Sequence, residues 1–159
     1  MTYTIPAGAR IGHVHLKVSD IERALQFYRD ILGFAVMQYY GNSAVFISAG
    51  GYHHHIGLNT WHSKGAGPAP VNGVGLYHTA IVYPEKKDLV TIVRRLAEHK
   101  YPLTGAADHG VSLAIYLNDP DGNGVELYWD KPKEQWPVDE QGKLQMVSEA
   151  INWDDLMAG

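Results

Sequence analysis

The chain has 159 residues, 45% of them hydrophobic and 19% charged, which is a globular composition at the length of one ordinary domain and excludes a largely disordered protein. A net charge of −4 without any Lys/Arg run argues against nucleic acid as a partner, and no stretch comes near the roughly 18 apolar residues of a membrane span. The absence of cysteine removes disulfides, thiolate catalysis and Cys-type zinc sites, whereas nine histidines, six of them at 13, 15, 53, 54, 55 and 78, single out the imidazole.

The N-terminal sequence MTYTIPAGARIGHV lacks an apolar segment behind a basic start, so a cytoplasmic protein is expected. Residues 11–18 alternate, with Val14, Leu16 and Val18 on one face and His13, His15 and Lys17 on the other, the pattern of a strand with an apolar back and a polar front. Ser19-Asp20-Ile21-Glu22 has capping-box form and opens a helix of about three turns, with Ile21, Ala24, Leu25, Tyr28 and Leu32 at helical spacing and Gly33 as its stop. The runs AVMQYY, SAVFISA and HHIGLNTW follow, broken at Gly41-Asn42 and Gly50-Gly51, and read as hairpin-connected strands. The first unit is βαβββ.

A Gly/Pro-rich connection over residues 63–75 precedes a second strand near residues 76–82. Leu89, Ile92, Val93 and Leu96 then mark one face of a helix within residues 84–99. Strands over residues 112–117 and 124–129 flank the turn Asp119-Pro120-Asp121-Gly122, so the second unit repeats the first. His13 and His78 lie 65 residues apart, and the same offset pairs Leu16 with Ile81 and Asp20 with Glu85, as internal duplication requires. The expected fold is α+β: two tandem βαβββ modules, residues 9–61 and 76–131, forming a curled, mostly antiparallel sheet around a metal site within a single domain 1–159. Residues 132–159 belong to neither copy and read as an arm that packs on the domain or on a second subunit, with a short helix around residues 151–157.

Duplication turns two ordinary strand histidines into a candidate pair. His13 and His78 occupy the same place in two copies, each on a polar face, and pseudo-twofold symmetry would bring them together. Glu126 sits opposite the apolar Val125, Leu127 and Trp129 and so points to the same front, where a carboxylate wants a partner. Two neutral imidazoles and one carboxylate leave up to about three open positions on an octahedral ion, enough for a chelating substrate and, with ferrous iron, dioxygen.

The segments IGHVHLKVSDIERALQFYRDILGF, LYHTAIV and LNDPDGNGVELYWD resemble the vicinal oxygen chelate superfamily, which includes glyoxalase I, extradiol ring-cleaving dioxygenases and bleomycin-resistance proteins. The resemblance spans residues 10–131, is nearest to the catechol 2,3-dioxygenase-like members, and implies His13, His78 and Glu126 as ligands of one divalent metal. Fe(II) is expected, with Mn, Ni, Co or Zn as alternatives. Aligning Gly51 with Gly122 sets His55 opposite Glu126, with His54 the choice if the register slips. His55 then serves either as a fourth ligand, as in the glyoxalase-like pattern, or as an acid/base residue, as in the dioxygenases. The resemblance further implies Tyr116 as a phenol holding a substrate oxygen and His109 as a second active-site histidine.

These residues predict an extradiol-type dioxygenase acting on a small aromatic, oxygen-chelating substrate with O2. Familiar catechol-cleaving enzymes often carry four such units, so a homodimer is expected to restore that number. The alternative is a glyoxalase I-like lyase or isomerase on a metal-chelated hemithioacetal or hydroxyketone, a pattern that usually has glutamate where this chain has histidine. A second alternative is a ligand-sequestering resistance protein, which generally lacks the triad. Tyr39, Tyr40, Tyr52, Trp61, Tyr77 and Tyr128 suggest an aromatic-lined cavity.

Overall fold

Alternating apolar residues and two amphipathic helical segments give two sheets, each with helix on one face. The computed structural model describes residues 2–158, so that Met1 and Gly159, the ends of the expected domain span, lie outside the described residues. The chain divides into two compact units, Met1–Gly67 and Pro68–Gly159.

In the first unit, strands β1 (Val14–Lys17), β2 (Ala35–Tyr40), β3 (Ala44–Ser48) and β4 (Ile56–Asn59) form a four-stranded sheet in the order β1-β4-β3-β2. Only β1 and β4 run parallel, with Val14 beside Ile56 and Leu16 beside Leu58. Leu16, Val45, Ile47, Ile56 and Leu58 are buried on the back face with Val18, while His15, Phe46 and Gly57 share the front row. Helix α1 (Ile21–Leu25) starts at Asp20, whose carboxylate accepts the Arg23 N–H at 2.8 Å, so Asp20 rather than Ser19 is the N-cap. The expected three α-turns stop at Leu25 and widen into a π-helical stretch, Gln26–Ile31, marked by Leu32 N–H donating to the Phe27 carbonyl. Ala24, Leu25, Phe27 and Tyr28 are all buried, a band broader than one α-helical stripe. Gly33 follows at φ 87°, the left-handed stop expected of it.

In the second unit, β5 (Thr79–Val82), β6 (Gly105–Asp108), β7 (Ser112–Asn118), β8 (Gly124–Asp130) and β9 (Glu149–Ala150) form a sheet in the order β5-β8-β7-β6-β9, parallel only between β5 and β8. Helix α2 (Lys86–Glu98) buries Leu89, Val90, Ile92, Val93 and Leu96, and the Glu85 N–H donates to the Asp88 carboxylate at its start. Strand β6 supplies the strand that the βαβββ repeat requires after α2; no run of the sequence marks its position, because Gly-Ala-Ala-Asp carries almost no β-propensity and is a strand through its pairing with β7. The arm docks on its own unit: β9 extends the sheet beyond β6, and helix α3 (Trp153–Met157) buries Leu156. Among the described residues, no helix is long and apolar enough to cross a membrane.

Candidate metal centre

Cross-strand neighbours in a sheet point to the same face, and β8 therefore decides what meets Glu126. Glu126 pairs with Tyr116 on β7 and Ala80 on β5, while Val125 and Leu127 point the other way and are buried. His78, one residue before β5, brings Nε2 to 2.9 Å from Glu126 Oε2. Gly124 permits that approach, since a Cβ there would lie 2.3 Å from the Tyr77 carbonyl oxygen and 3.1 Å from the His78 Cβ. His78 Nδ1 is buried and finds no hydrogen-bond partner among the described residues.

The other carboxylate oxygen, Oε1, lies 3.4 Å from the Tyr116 hydroxyl, which in turn sits 2.6 Å from His109 Nε2. His109 Nδ1 is 3.0 Å from the Val147 carbonyl. A carbonyl only accepts, so Nδ1 carries a proton; in the neutral ring Nε2 is then an acceptor, and the phenolic proton points chiefly to His109. The same hydroxyl also donates, more weakly, to Glu126 Oε1 at 3.4 Å, the longer arm of a shared hydrogen bond. Burial, and after it the Glu126 charge, pushes the Tyr116 phenol above its ordinary pKa of 10.0, so it stays protonated at neutral pH.

The first unit gathers His13, His15, His53 and His54 around Phe46 on the front of its sheet. The His13 ring lies 4.4 Å from that of His54, which also packs 5.0 Å from Phe46, and His53 Nδ1 is 2.7 Å from His54 Nδ1. His15 packs against Phe46 and Trp61 over Gly57, where a Cβ would come 2.9 Å from the imidazole. Burial, followed by the charge of His13, lowers the pKa of His54 and of His15 below 6.5. A cavity of about 350 Å3 adjoins them, lined by Met37, Gln38, Phe46, His53 and His54. His55 has a different environment: its Nδ1 accepts the Ala49 N–H at 3.3 Å and lies 2.9 Å from Ser48 Oγ.

The sequence-derived residues thus fall into two sets. His78, Glu126, Tyr116 and His109 form one connected network in the second unit, and His13 is the neighbour of His54 in the first. His54 rather than His55 adjoins His13 because residues 52–55 precede β4 and bend, so strand alternation does not run back through them. The Val147 carbonyl carries no sequence signal and enters the network through its backbone. Of the six aromatic residues expected in a cavity, Tyr39, Tyr40, Trp61 and Tyr77 are exposed, Trp61 also covering His15; Tyr52 packs on His53 and His55, and Tyr128 is half-buried beside Ala114 of β7. Within neither unit taken by itself do three or more His, Asp or Glu side chains gather closely enough, among the described residues, to hold a metal ion.

Residues 10–127 match the model of the Glyoxalase/Bleomycin resistance protein/Dioxygenase superfamily. The chain is 36% identical over 155 residues to a catechol-2,3-dioxygenase of Bacillus subtilis (strain 168), a match covering 97% of this chain and 53% of that protein. It is 33% identical to biphenyl-2,3-diol 1,2-dioxygenase 3 of Rhodococcus globerulus over 76% of this chain and 63% of the other. It therefore spans a little over half to under two thirds of these relatives. Among solved structures, a glyoxalase/dioxygenase from Nostoc punctiforme superposes with a TM-score of 0.65 at 17% identity, covering 83% of this chain and 99% of that one, a likeness of fold.

Proposed function

Since the chain belongs to the glyoxalase/bleomycin resistance protein/dioxygenase superfamily, we propose that it is a metal-dependent extradiol-type dioxygenase, with His13, His78 and Glu126 as ligands, opening the ring of a catechol-like substrate with O2. The observation that carries this reading is the chain of contacts His78–Glu126–Tyr116–His109.

The donor set fits a cation. With its proton on Nε2, His78 satisfies Glu126 and leaves Nδ1 buried and unpaired; with the proton on Nδ1, two lone pairs face each other at 2.9 Å. Either tautomer is incomplete, and a cation accepting both lone pairs relieves the second. Fe(II) is the proposed ion, and Mn, Ni, Co and Zn accept the same ligands. Bound there, it would supply Lewis-acid and redox chemistry towards a chelated catecholate and dioxygen.

This chain's own residues bind, orient and move protons. The Tyr116 phenol, held protonated beside Glu126, points its proton chiefly at His109 Nε2 and would turn it to a substrate oxygen bound there, with His109 receiving or returning that proton through Nε2. Of the two candidates for acid/base work in the first unit, His54 has the better support. Its ring adjoins His13, and its lowered pKa keeps it a neutral base near pH 7. His55 commits Nδ1 to the Ala49 N–H and retains only an Nε2 proton to give. Pairing of two copies would provide the four modules that longer catechol-cleaving enzymes carry.

The test is metal analysis of anaerobically purified protein followed by oxygen uptake with a panel of catechols. Bound iron or manganese with catechol-dependent oxygen uptake is expected. Metal without uptake, but with turnover of a hemithioacetal, would move the chain to the lyase reading; a metal-free protein that binds aromatics without turnover would make it a sequestering protein.

A further inference from the structure

We infer that the C-terminal arm is a positioning element for His109, with Val147 clamping that histidine as its Nδ1–H tautomer; the inference deepens the enzymatic reading above and rests on it for its catalytic consequence. Val147 meets His109 at two points. Its N–H donates to the His109 carbonyl at 3.1 Å, and its own carbonyl accepts from His109 Nδ1 at 3.0 Å. Three further contacts hold the clamp in place. Strand β9 pairs with β6 two residues on, through Asp108 beside Glu149 and Ala107 beside Ala150. Gly110, at φ 76°, lets the arm close over the β6–β7 turn, because a Cβ there would lie 2.7 Å from Pro137 Cγ and 3.3 Å from Val147 Cγ2. Leu156 is buried and anchors the arm's far end.

The clamp sets the direction of a hydrogen-bond chain. With Nδ1 of the neutral ring tied to a carbonyl, Nε2 presents a lone pair, and the Tyr116 hydroxyl donates chiefly to it at 2.6 Å and only weakly to Glu126 at 3.4 Å. An imidazole released from the carbonyl is free to place its proton on Nε2 and donate to the phenol oxygen instead. The phenolic proton would then turn towards Glu126 Oε1, and the order of donors along the relay would be reversed. Val147 is a positioning residue that acts through its backbone, which explains why a hydrophobic side chain in a coil segment takes part at all.

The test is nitrogen-15 NMR of the imidazoles in the chelator-treated full-length chain, with the His109 resonances assigned by their loss in His109→Gln. The expected result is a protonated Nδ1 and an unprotonated Nε2 in the wild type and in Val147→Ala, which keeps both backbone contacts. Val147→Pro removes the N–H and should shift His109 towards the Nε2–H form, with kcat in the metal-loaded protein lowered about tenfold at unchanged metal content. Should Val147→Pro fail to fold, Glu149→Pro cuts the β9–β6 pairing with the same expected shift. An Nε2–H tautomer in the wild type, or a folded proline variant with the wild-type tautomer, overturns the clamp. Because the tautomer is read without metal or turnover, an intact clamp in a protein without metal or oxygen uptake would sink the dioxygenase reading alone.

Discussion

Two glycines show how much a single hydrogen in place of a methyl can decide. At Gly124 a Cβ would strike the backbone oxygen of Tyr77, which cannot swing aside, so Gly124→Ala must push the start of β5 away from β8. The expected cost is about 1–3 kcal/mol of stability, typical of forced overpacking, read as a lowered urea midpoint. His78 would withdraw from Glu126 at the same time, so divalent-metal affinity measured by calorimetry should fall with it. At Gly57 a Cβ would meet the His15 ring along its Cγ–Cδ2–Nε2 side at 2.9–3.0 Å, a ring already packed on Phe46 and Trp61, although φ is not in the left-handed region. Gly57→Ala should therefore lower the urea midpoint by displacing the His15 ring while leaving divalent-metal affinity closer to wild type than Gly124→Ala does. A Gly124→Ala protein with wild-type stability and affinity would mean that β5 is not held by this approach. At this scale the shared face of His78 and Glu126 was readable from strand alternation, whereas Tyr116 entered only through the family resemblance. The proximity of His54 to His13 was not readable, since it depends on a bend just before β4.

At the level of elements, hydrophobic periodicity located β1 to β4, β7, β8 and both long helical segments, because each has an apolar face to bury. Strand β6 and the docking of the arm were illegible for the complementary reason: Gly105-Ala106-Ala107-Asp108 takes its shape from partners on either side, β7 and β9. An ion pair fastens this region. Lys131 Nζ lies 2.7 Å from Asp108 Oδ1, tying β6 to the residue from which the arm departs. Burial pushes the Asp108 carboxyl up, but the Lys131 hydrogen bond, the Gly110 N–H and the Lys131 charge together outweigh it and hold the pKa below 3.8. A carboxyl depressed in the folded state adds stability that is complete above the unfolded value and disappears as pH falls through the folded one. Urea midpoints should accordingly drop more steeply below about pH 4 in the wild type than in Asp108→Asn. Parallel acid limbs would show that the pair contributes nothing. Leu156→Ala should cost about 2–5 kcal/mol by opening a cavity under α3, and circular dichroism melts would register it.

At the scale of the whole chain, duplication was the most legible feature. The observed strands β1 and β5 begin at Val14 and Thr79, 65 residues apart, the same offset that pairs His13 with His78. Each unit folds around its own sheet and helix. Under the proposed assignment His13 belongs to the first unit and His78 and Glu126 to the second. An ion that binds only the folded protein stabilises it by mass action, about 2.7 kcal/mol at a free concentration one hundred times the dissociation constant. Thermal melts with and without ferrous or manganous ion should show that increment in the wild type. His13→Ala, His78→Ala and Glu126→Ala should each abolish it while leaving the metal-free melting temperature of the respective variant close to the wild type's. The decisive variant is His13→Ala, because it alters the unit that holds neither of the other two ligands. If it retains the full increment while the other two lose theirs, the ion belongs to the second unit alone, and the duplication of His13 and His78 is an inheritance of the fold without a shared role.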